Sequence, residues 1–465
     1  MDEKTKGQAL SEELTYKKTN VYEKADAARI EEIFQYAEGY KAFLDAAKTE
    51  REAVRRAIAM AEAAGYTAYE MGEELRPGDL RYYNNRDKNL FIFRVGEEDL
   101  EKDGIRILAA HIDSPRLDLK QNPLYEDSGM SFLKTHYYGG IKKYQWTAIP
   151  LALHGVVAKA DGSLLDVVIG EEESDPVFYV NDLLPHLAQD QMARTMATAI
   201  PGESLNILVG GLPFDDEKVE NKIKLNVLRI LSEKYGITEE DFISAEISAV
   251  PAFRARDIGF DRAMIGAYGH DDRVCSYPAV TAILATPTRH TVMAILADKE
   301  EIGSMGVTGM QNVLLKDMID LVAASRGANP AIVRARSICL SADVNAAYDP
   351  NFAEAYERRN SAMISCGTTM SKFTGARGKS GTSDASAEFV GRVRRMFAEN
   401  GVIWQTSELG KVDVGGGGTV AQYIANMNID TVDLGVPVIS MHAPYEVVSK
   451  ADLYTTHEAF CAFIK

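Results

Sequence analysis

The feature that most constrains this chain is a set of apolar runs that each stop at a histidine or a carboxylate. Thr291-Val-Met-Ala-Ile-Leu296 is short, apolar and partly β-branched, so it reads as a strand buried on both faces. It runs into Ala297-Asp-Lys-Glu-Glu-Ile-Gly-Ser304, which carries the adjacent pair Glu300 and Glu301. Buried neighbouring carboxylates repel, so such a pair needs a cation or a shared proton. Ile105–Ala110 ends at His111, Ser337–Ala342 ends at Asp343, and Thr431–Ser440 ends just before His442. The stretch Gly269-His-Asp-Asp-Arg-Val274 adds Asp271 and Asp272. In open α/β sheets the ligand site lies at the carboxyl ends of the strands. A polar residue after one strand carries no information. Four strand ends bearing only His, Asp or Glu point to one shared site.

Two imidazoles with three or four carboxylates suit a pair of divalent metal ions, Zn²⁺ first, with Co²⁺ and Mn²⁺ also matching the donors. Two ions ~3.5–4 Å apart hold a water and lower its pKa. A carboxylate that is not a ligand then carries the proton to a leaving group. Glu300-Glu301 offers both roles. In His111-Ile-Asp113 the carboxylate is placed to fix the imidazole tautomer while the other ring nitrogen binds metal.

At 465 residues the chain has room for two or three domains. Helical spacing of apolar residues runs from about Tyr22 to Ala64, with Gly39 expected to divide it and Gly65 to end it. Composition changes after Leu119: aromatics, Pro and Gly cluster over 120–150, and Asp161-Gly162 between β-branched stretches signals a hairpin. Residues 222–236 read as a short helix and 246–260 as further strand. The expected organisation is an α/β catalytic unit in two parts, 1–119 and 266–465, interrupted by a β-rich insert over 120–265. Thr431–Ser440 reads as one strand and 450–464 as a closing helix. Gly415–Gly418 reads as a loop, since no Walker-type Lys-Ser/Thr follows it.

The formal net charge of −17 argues against nucleic acid and anionic membranes as partners. No run approaches the ~18 apolar residues of a membrane span. Cys275, Cys339, Cys366 and Cys461 form no CxxC pair, which suits a reducing cytoplasm, and no apolar signal-peptide core follows Met1. His136, His154, His270, His290 and His457 read as structural.

The ordered set His111-Ile-Asp-Ser-Pro-Arg-Leu-Asp118, Asp271-Asp-Arg273, Glu300-Glu-Ile-Gly-Ser304, Ser341-Ala-Asp-Val-Asn-Ala346 and Met441-His-Ala-Pro-Tyr-Glu446 resembles the aspartyl aminopeptidase family of di-zinc exopeptidases, in its bacterial branch. The resemblance runs from about residue 15 to 460. It implies a zinc-exopeptidase-like three-layer α/β/α catalytic domain with an inserted dimerisation domain. It further implies that His111 and Asp343 bind one metal, Glu301 and His442 the other, and Asp271 both. Glu300 becomes the general acid/base, Asp113 the support of His111, and Asp272 a residue that orients Asp271 through the backbone. Family members commonly form tetrahedral dodecamers built from dimers. Leu184-Pro-His186 resembles a segment whose histidine reaches a neighbouring subunit's site, making His186 a candidate oxyanion donor.

The implied substrates are peptides with a free N-terminus. Preference for an acidic first residue needs a cation, and Lys372, Arg377 and Lys379 are the candidates. Departures at Tyr138-Gly-Gly-Ile-Lys-Lys-Tyr-Gln-Trp146 and at Gly415-Gly-Gly-Gly-Thr419 leave that preference open. The alternatives are a di-metal carboxypeptidase or amidohydrolase, and a catalytically silent self-assembling shell protein.

Overall fold

The computed structural model describes residues 4–465. Four parallel strands form its centre, in the spatial order Thr291–Ala297, Ile105–His111, Ile338–Ser341, Asp430–Gly435. Antiparallel neighbours extend both sides: Asn89–Arg94 beside Thr291–Ala297, and Thr368–Ser371 beside Asp430–Gly435. Three outer strands complete a nine-stranded sheet. Period-2 alternation sends Leu108 and Ala110 into one apolar layer and Ile107 and Ala109 into the other. Helices 27–45, 50–63, 270–285, 387–400 and 450–464 cover the first face. Helices 314–325 and 330–336 cover the second. This is the three-layer α/β/α arrangement that the family resemblance implies.

Gly39 does not divide the first helical stretch. Ala27–Asp45 runs unbroken through it, and the break falls at Ala46–Thr49, where Thr49 caps the helix Glu50–Ala63. A Cβ on Gly39 would sit 2.6 Å from the Tyr277 hydroxyl. The glycine serves helix–helix approach, not helix termination. Within the polar N-terminal stretch, Lys6–Leu14 is a helix with Thr5 and Gln8 forming a capping box.

A second, antiparallel sheet spans Arg116 to Pro251 in seven strands. Ala245–Pro251 pairs with both Arg116–Asp127 and Pro150–Ala158, so the sheet closes on itself around Trp146 and its apolar neighbours. The Asp161-Gly162 turn joins Pro150–Ala158 to Leu164–Ile169.

A third sheet had no counterpart in the sequence pattern. It contains Arg256–Ile258, Met264–Ala267, Glu446–Ser449, Pro437–Ile439 and Asn345–Ala346. The run 431–440 is therefore two strands: 430–435 in the central sheet and 437–439 in the small one. Gly435 stands at the crossing. A Cβ there would lie 1.8 Å from the Asp343 carbonyl oxygen, so only glycine permits the passage. Likewise 246–260 divides, its first part closing the second sheet and 256–258 joining the third.

The seam between the second sheet and the catalytic body is ionic. Arg116 donates to Glu50 at 2.9 Å, and Lys88 pairs with Glu246 at 2.9 Å. His154 is 2% exposed and lies between Glu52 (Nδ1, 2.8 Å) and Glu171 (Nε2, 3.0 Å). Burial would depress its pKa, but the hydrogen bonds to Glu171 and Glu52 outweigh that and hold it above the ordinary value. A raised folded-state pKa stabilises fully below the unfolded value, about 6.5, and the contribution is lost as pH rises through the folded value. The unfolding free energy that His154→Gln costs is therefore expected to be largest near pH 6 and to shrink above it. Denaturant titrations at several pH values read this directly, and a cost that grows with pH contradicts it.

Among the described residues no helix is long and apolar enough to cross a membrane.

Candidate metal centre

The register of the central sheet sets the site. His111 is the last residue of its strand and lies level with Ala297 on the neighbour. The turn Glu300–Ile302 therefore begins just above the imidazole, flanked by Lys299 and Gly303, both with positive φ. On the other side Ser341 is level with Ala109, which places Asp343 two residues further at the same height. The small sheet supplies the rest. Met264–Ala267 leads to Asp271 at the start of the helix 270–285, and Pro437–Ile439 leads to His442.

The two oxygens of Asp271 face the two imidazoles. Oδ1 is 3.1 Å from His111 Nε2, and Oδ2 is 3.1 Å from His442 Nε2. Asp343 Oδ1 lies 3.7 Å and Glu300 Oε2 4.0 Å from His111 Nε2. Glu301 Oε1 lies 3.5 Å from His442 Nε2. Each imidazole has its Nδ1 on a backbone carbonyl: Asp113 O at 3.0 Å for His111, Gly140 O at 2.7 Å for His442. A carbonyl only accepts, so each Nδ1 donates and a neutral ring presents its Nε2 lone pair to the centre. All the predicted residues except His186 meet here. His186 sits on the turn Pro185–Leu187 of the second sheet's long connection, among exposed Leu183, Leu184 and Leu187.

The electrostatics are those of a site built for cations. Burial, then the Asp343 carboxylate, push Glu300 up to about 8. Burial, then Asp271, push Glu301 well up. Asp343 is raised for the same first reason. Burial would raise Asp271 too, but His111 and His442 overcome it and hold it well below the usual range. Hydrogen bonding to Asp271 overcomes burial at His442 and lifts it to about 10. Asp271 Oδ1 and Glu301 Oε1 are buried without a hydrogen-bond partner among the described residues. Four crowded carboxylates, two of them with an orphaned oxygen, opposite two oriented imidazoles fit hard-to-borderline divalent ions, and zinc in particular.

The structure adds to the sequence reading around the ligands. Asp272, expected to orient Asp271 through the backbone, also groups with His111 and Asp343, their ligand atoms within 4.8 Å of one another, and its Oδ2 accepts from His111 N at 3.3 Å. Glu446, on a strand of the small sheet, accepts from the amides of Asp271 (3.1 Å) and His442 (2.7 Å), tying the start of the helix 270–285 to the turn after Pro437–Ile439. Only the i, i+4 spacing from His442 signals it. Lys372 and Lys379 both pair with Asp384, at 2.8 and 3.1 Å.

Residues 43–464 match the family model of the aminopeptidase I zinc metalloproteases, M18. The chain belongs to the M18 family. A probable M18 family aminopeptidase 1 of Clostridium acetobutylicum is 47% identical over 454 residues, covering 96% of this chain and 97% of the relative. A crystal structure of an M18 aminopeptidase from Thermotoga maritima superposes with a TM-score of 0.93 at 41% identity, covering 97% of this chain and all of that one. The mApe1 dodecamer of S. cerevisiae shares the M18 fold at 21% identity, with a TM-score of 0.75 over 92% of this chain and 96% of that one. M18 proteins are zinc metalloaminopeptidases, and this chain is one of them.

Proposed function

We propose that the chain removes the N-terminal residue of peptides at a centre for two divalent ions, with zinc the natural occupant. One observation carries the two-ion reading: the paired oxygens of Asp271, each 3.1 Å from a different imidazole nitrogen. On this reading His111 and Asp343 hold one ion, Glu301 and His442 the other, and Asp271 both. When bound, the ions polarise the scissile carbonyl and acidify the attacking water. Glu300 is on the same turn as Glu301 but nearer His111, and its side chain is partly exposed (18%). It accepts the water's proton and passes it to the departing amine. Asp113, fully buried, receives the amides of Glu300 (3.1 Å) and Glu301 (3.2 Å) and so fixes the turn that separates their roles.

The test is a peptide panel with free and N-acetylated termini. Cleavage only of free termini, one residue at a time, is the expected result. Equal cleavage of blocked peptides would shift the reading to a carboxypeptidase or amidohydrolase. The same panel, varied in its first residue, reads any preference for acidic termini.

Assembly through the 116–251 unit, the proposed dimerisation insert, is the second part of the reading. Leu184, Leu187, Met192 and Met196 are between 49% and 76% exposed along one connection, and grouped exposed apolar side chains are a mark of interaction sites. The dodecameric yeast relative supports the same idea. His186 lies in that patch and would donate to the oxyanion in a neighbouring site. Sedimentation showing an active monomer would overturn both statements. The unpaired thiols fit a cytoplasmic setting, which cell fractionation tests.

A further inference from the structure

We propose that Tyr138 is a positioning residue for the metal centre, acting from the second sheet through Asp113. The proposal rests on the two-ion reading above and deepens it.

Tyr138 ends the strand Met130–Tyr138, opposite Arg116 on its partner. The Arg116 guanidinium lies 4.1 Å over the tyrosine ring and is itself held by Glu50 and Asp118. The ring is therefore clamped, and its hydroxyl direction is fixed. That hydroxyl donates to Asp113 Oδ2 at 2.8 Å. The same oxygen accepts the Glu301 amide at 3.2 Å, while Oδ1 accepts the Glu300 amide at 3.1 Å. Asp113 Oδ1 also lies 3.3 Å from His111 Nδ1. One carboxylate plane thus sets a metal-facing imidazole and the backbone of both glutamates. The shortest bond holding that plane comes from Tyr138.

The next two residues continue the contact. Gly139 has φ +75°, and a Cβ there would lie 3.0 Å from Glu301 Oε2. Gly140 offers the carbonyl that orients His442. Three consecutive residues outside the catalytic α/β unit therefore touch Asp113, Glu301 and His442. Partners bonded directly to the ligands, as Asp113 is, are worth about 10–100-fold in metal affinity or activity, and Tyr138 acts one bond further out.

Removing the hydroxyl leaves Oδ2 with the longer amide bond alone. The Asp113 carboxylate keeps the two amides but loses its shortest tether, so its plane, and with it the turn carrying both glutamates, is held less firmly. Tyr138→Phe deletes one atom and keeps the clamped ring, so the packing survives.

The experiment compares the full-length zinc-loaded chain with Tyr138→Phe and with Tyr137→Phe as a neighbouring control. Zinc affinity is measured by chelator competition, kcat and KM on a free-terminus peptide, and folding by thermal unfolding of the metal-free protein. Tyr138→Phe is expected to weaken zinc binding by about tenfold, the low end of the range for a direct partner, and to lower kcat in proportion. KM should stay within about twofold, and Tyr137→Phe should match the parent. Zinc affinity and kcat within about twofold of the parent in Tyr138→Phe overturn the proposal, as does a kcat loss fully explained by a smaller folded fraction. A parent chain that binds no zinc overturns the underlying reading instead, which keeps the two failures distinct.

Discussion

Glu300→Gln is expected to lower kcat by about 10²–10⁴-fold while leaving zinc content unchanged. Gln keeps the volume and a hydrogen-bonding end but cannot accept or release the travelling proton. Glu300 is the carboxylate furthest from an imidazole nitrogen, 4.0 Å against 3.1–3.7 Å for the other carboxylates that face these nitrogens. Its loss therefore spares the ion-holding set. Burial and Asp343 push its carboxyl up to about 8, into the range where a proton can be taken and returned near neutrality. Bound cations pull that value back down. Steady-state kinetics with metal analysis of the same sample read both halves of the expectation. A variant that keeps more than a tenth of the parent kcat would remove Glu300 from the proton path.

Asp271→Ala should have the larger effect on the metals. Both imidazoles lose the carboxylate they face, and the remaining sets each fall to two of the proposed protein ligands. Zinc that binds only the folded chain stabilises it by about 4 kcal/mol at a thousandfold excess over Kd. The parent's unfolding temperature should accordingly rise when zinc is added, and that rise should vanish in Asp271→Ala together with peptidase activity. Calorimetry with and without zinc decides it. A full zinc-induced shift in the variant would show that Asp271 bridges nothing.

The central sheet was legible because its strands are buried on both faces. Ile105–Ala110 and Thr291–Leu296 could be read as strands from apolar content alone, and their ends then marked the ligand height. The closing helix over 450–464 was read at its observed bounds. The small third sheet was not, because its strands are two to four residues long and leave no periodicity to read. That omission merged 431–440 into one strand and hid Glu446, whose partners Asp271 and His442 follow two other strands of the same sheet. Gly39 misled for a different reason: a glycine required by a neighbouring helix looks the same in sequence as one that ends its own. Tyr138 and His154 gain their partners only when the second sheet docks, and no local pattern encodes a docking seam.

The crossing at Gly435 divides the donors between two sheets, and it also orders them along the chain. His111, Asp271, Glu300, Glu301 and Asp343 all precede residue 344, whereas His442 and Glu446 follow residue 440. A ribosome therefore exposes five of these seven side chains long before the last imidazole leaves the exit tunnel. The segment that delivers it must thread past the Asp343 carbonyl to reach the small sheet. A nascent or prematurely terminated chain consequently holds an incomplete centre. On the proposed ligand set, peptide-cleaving competence arrives only once His442 has been added to the growing chain.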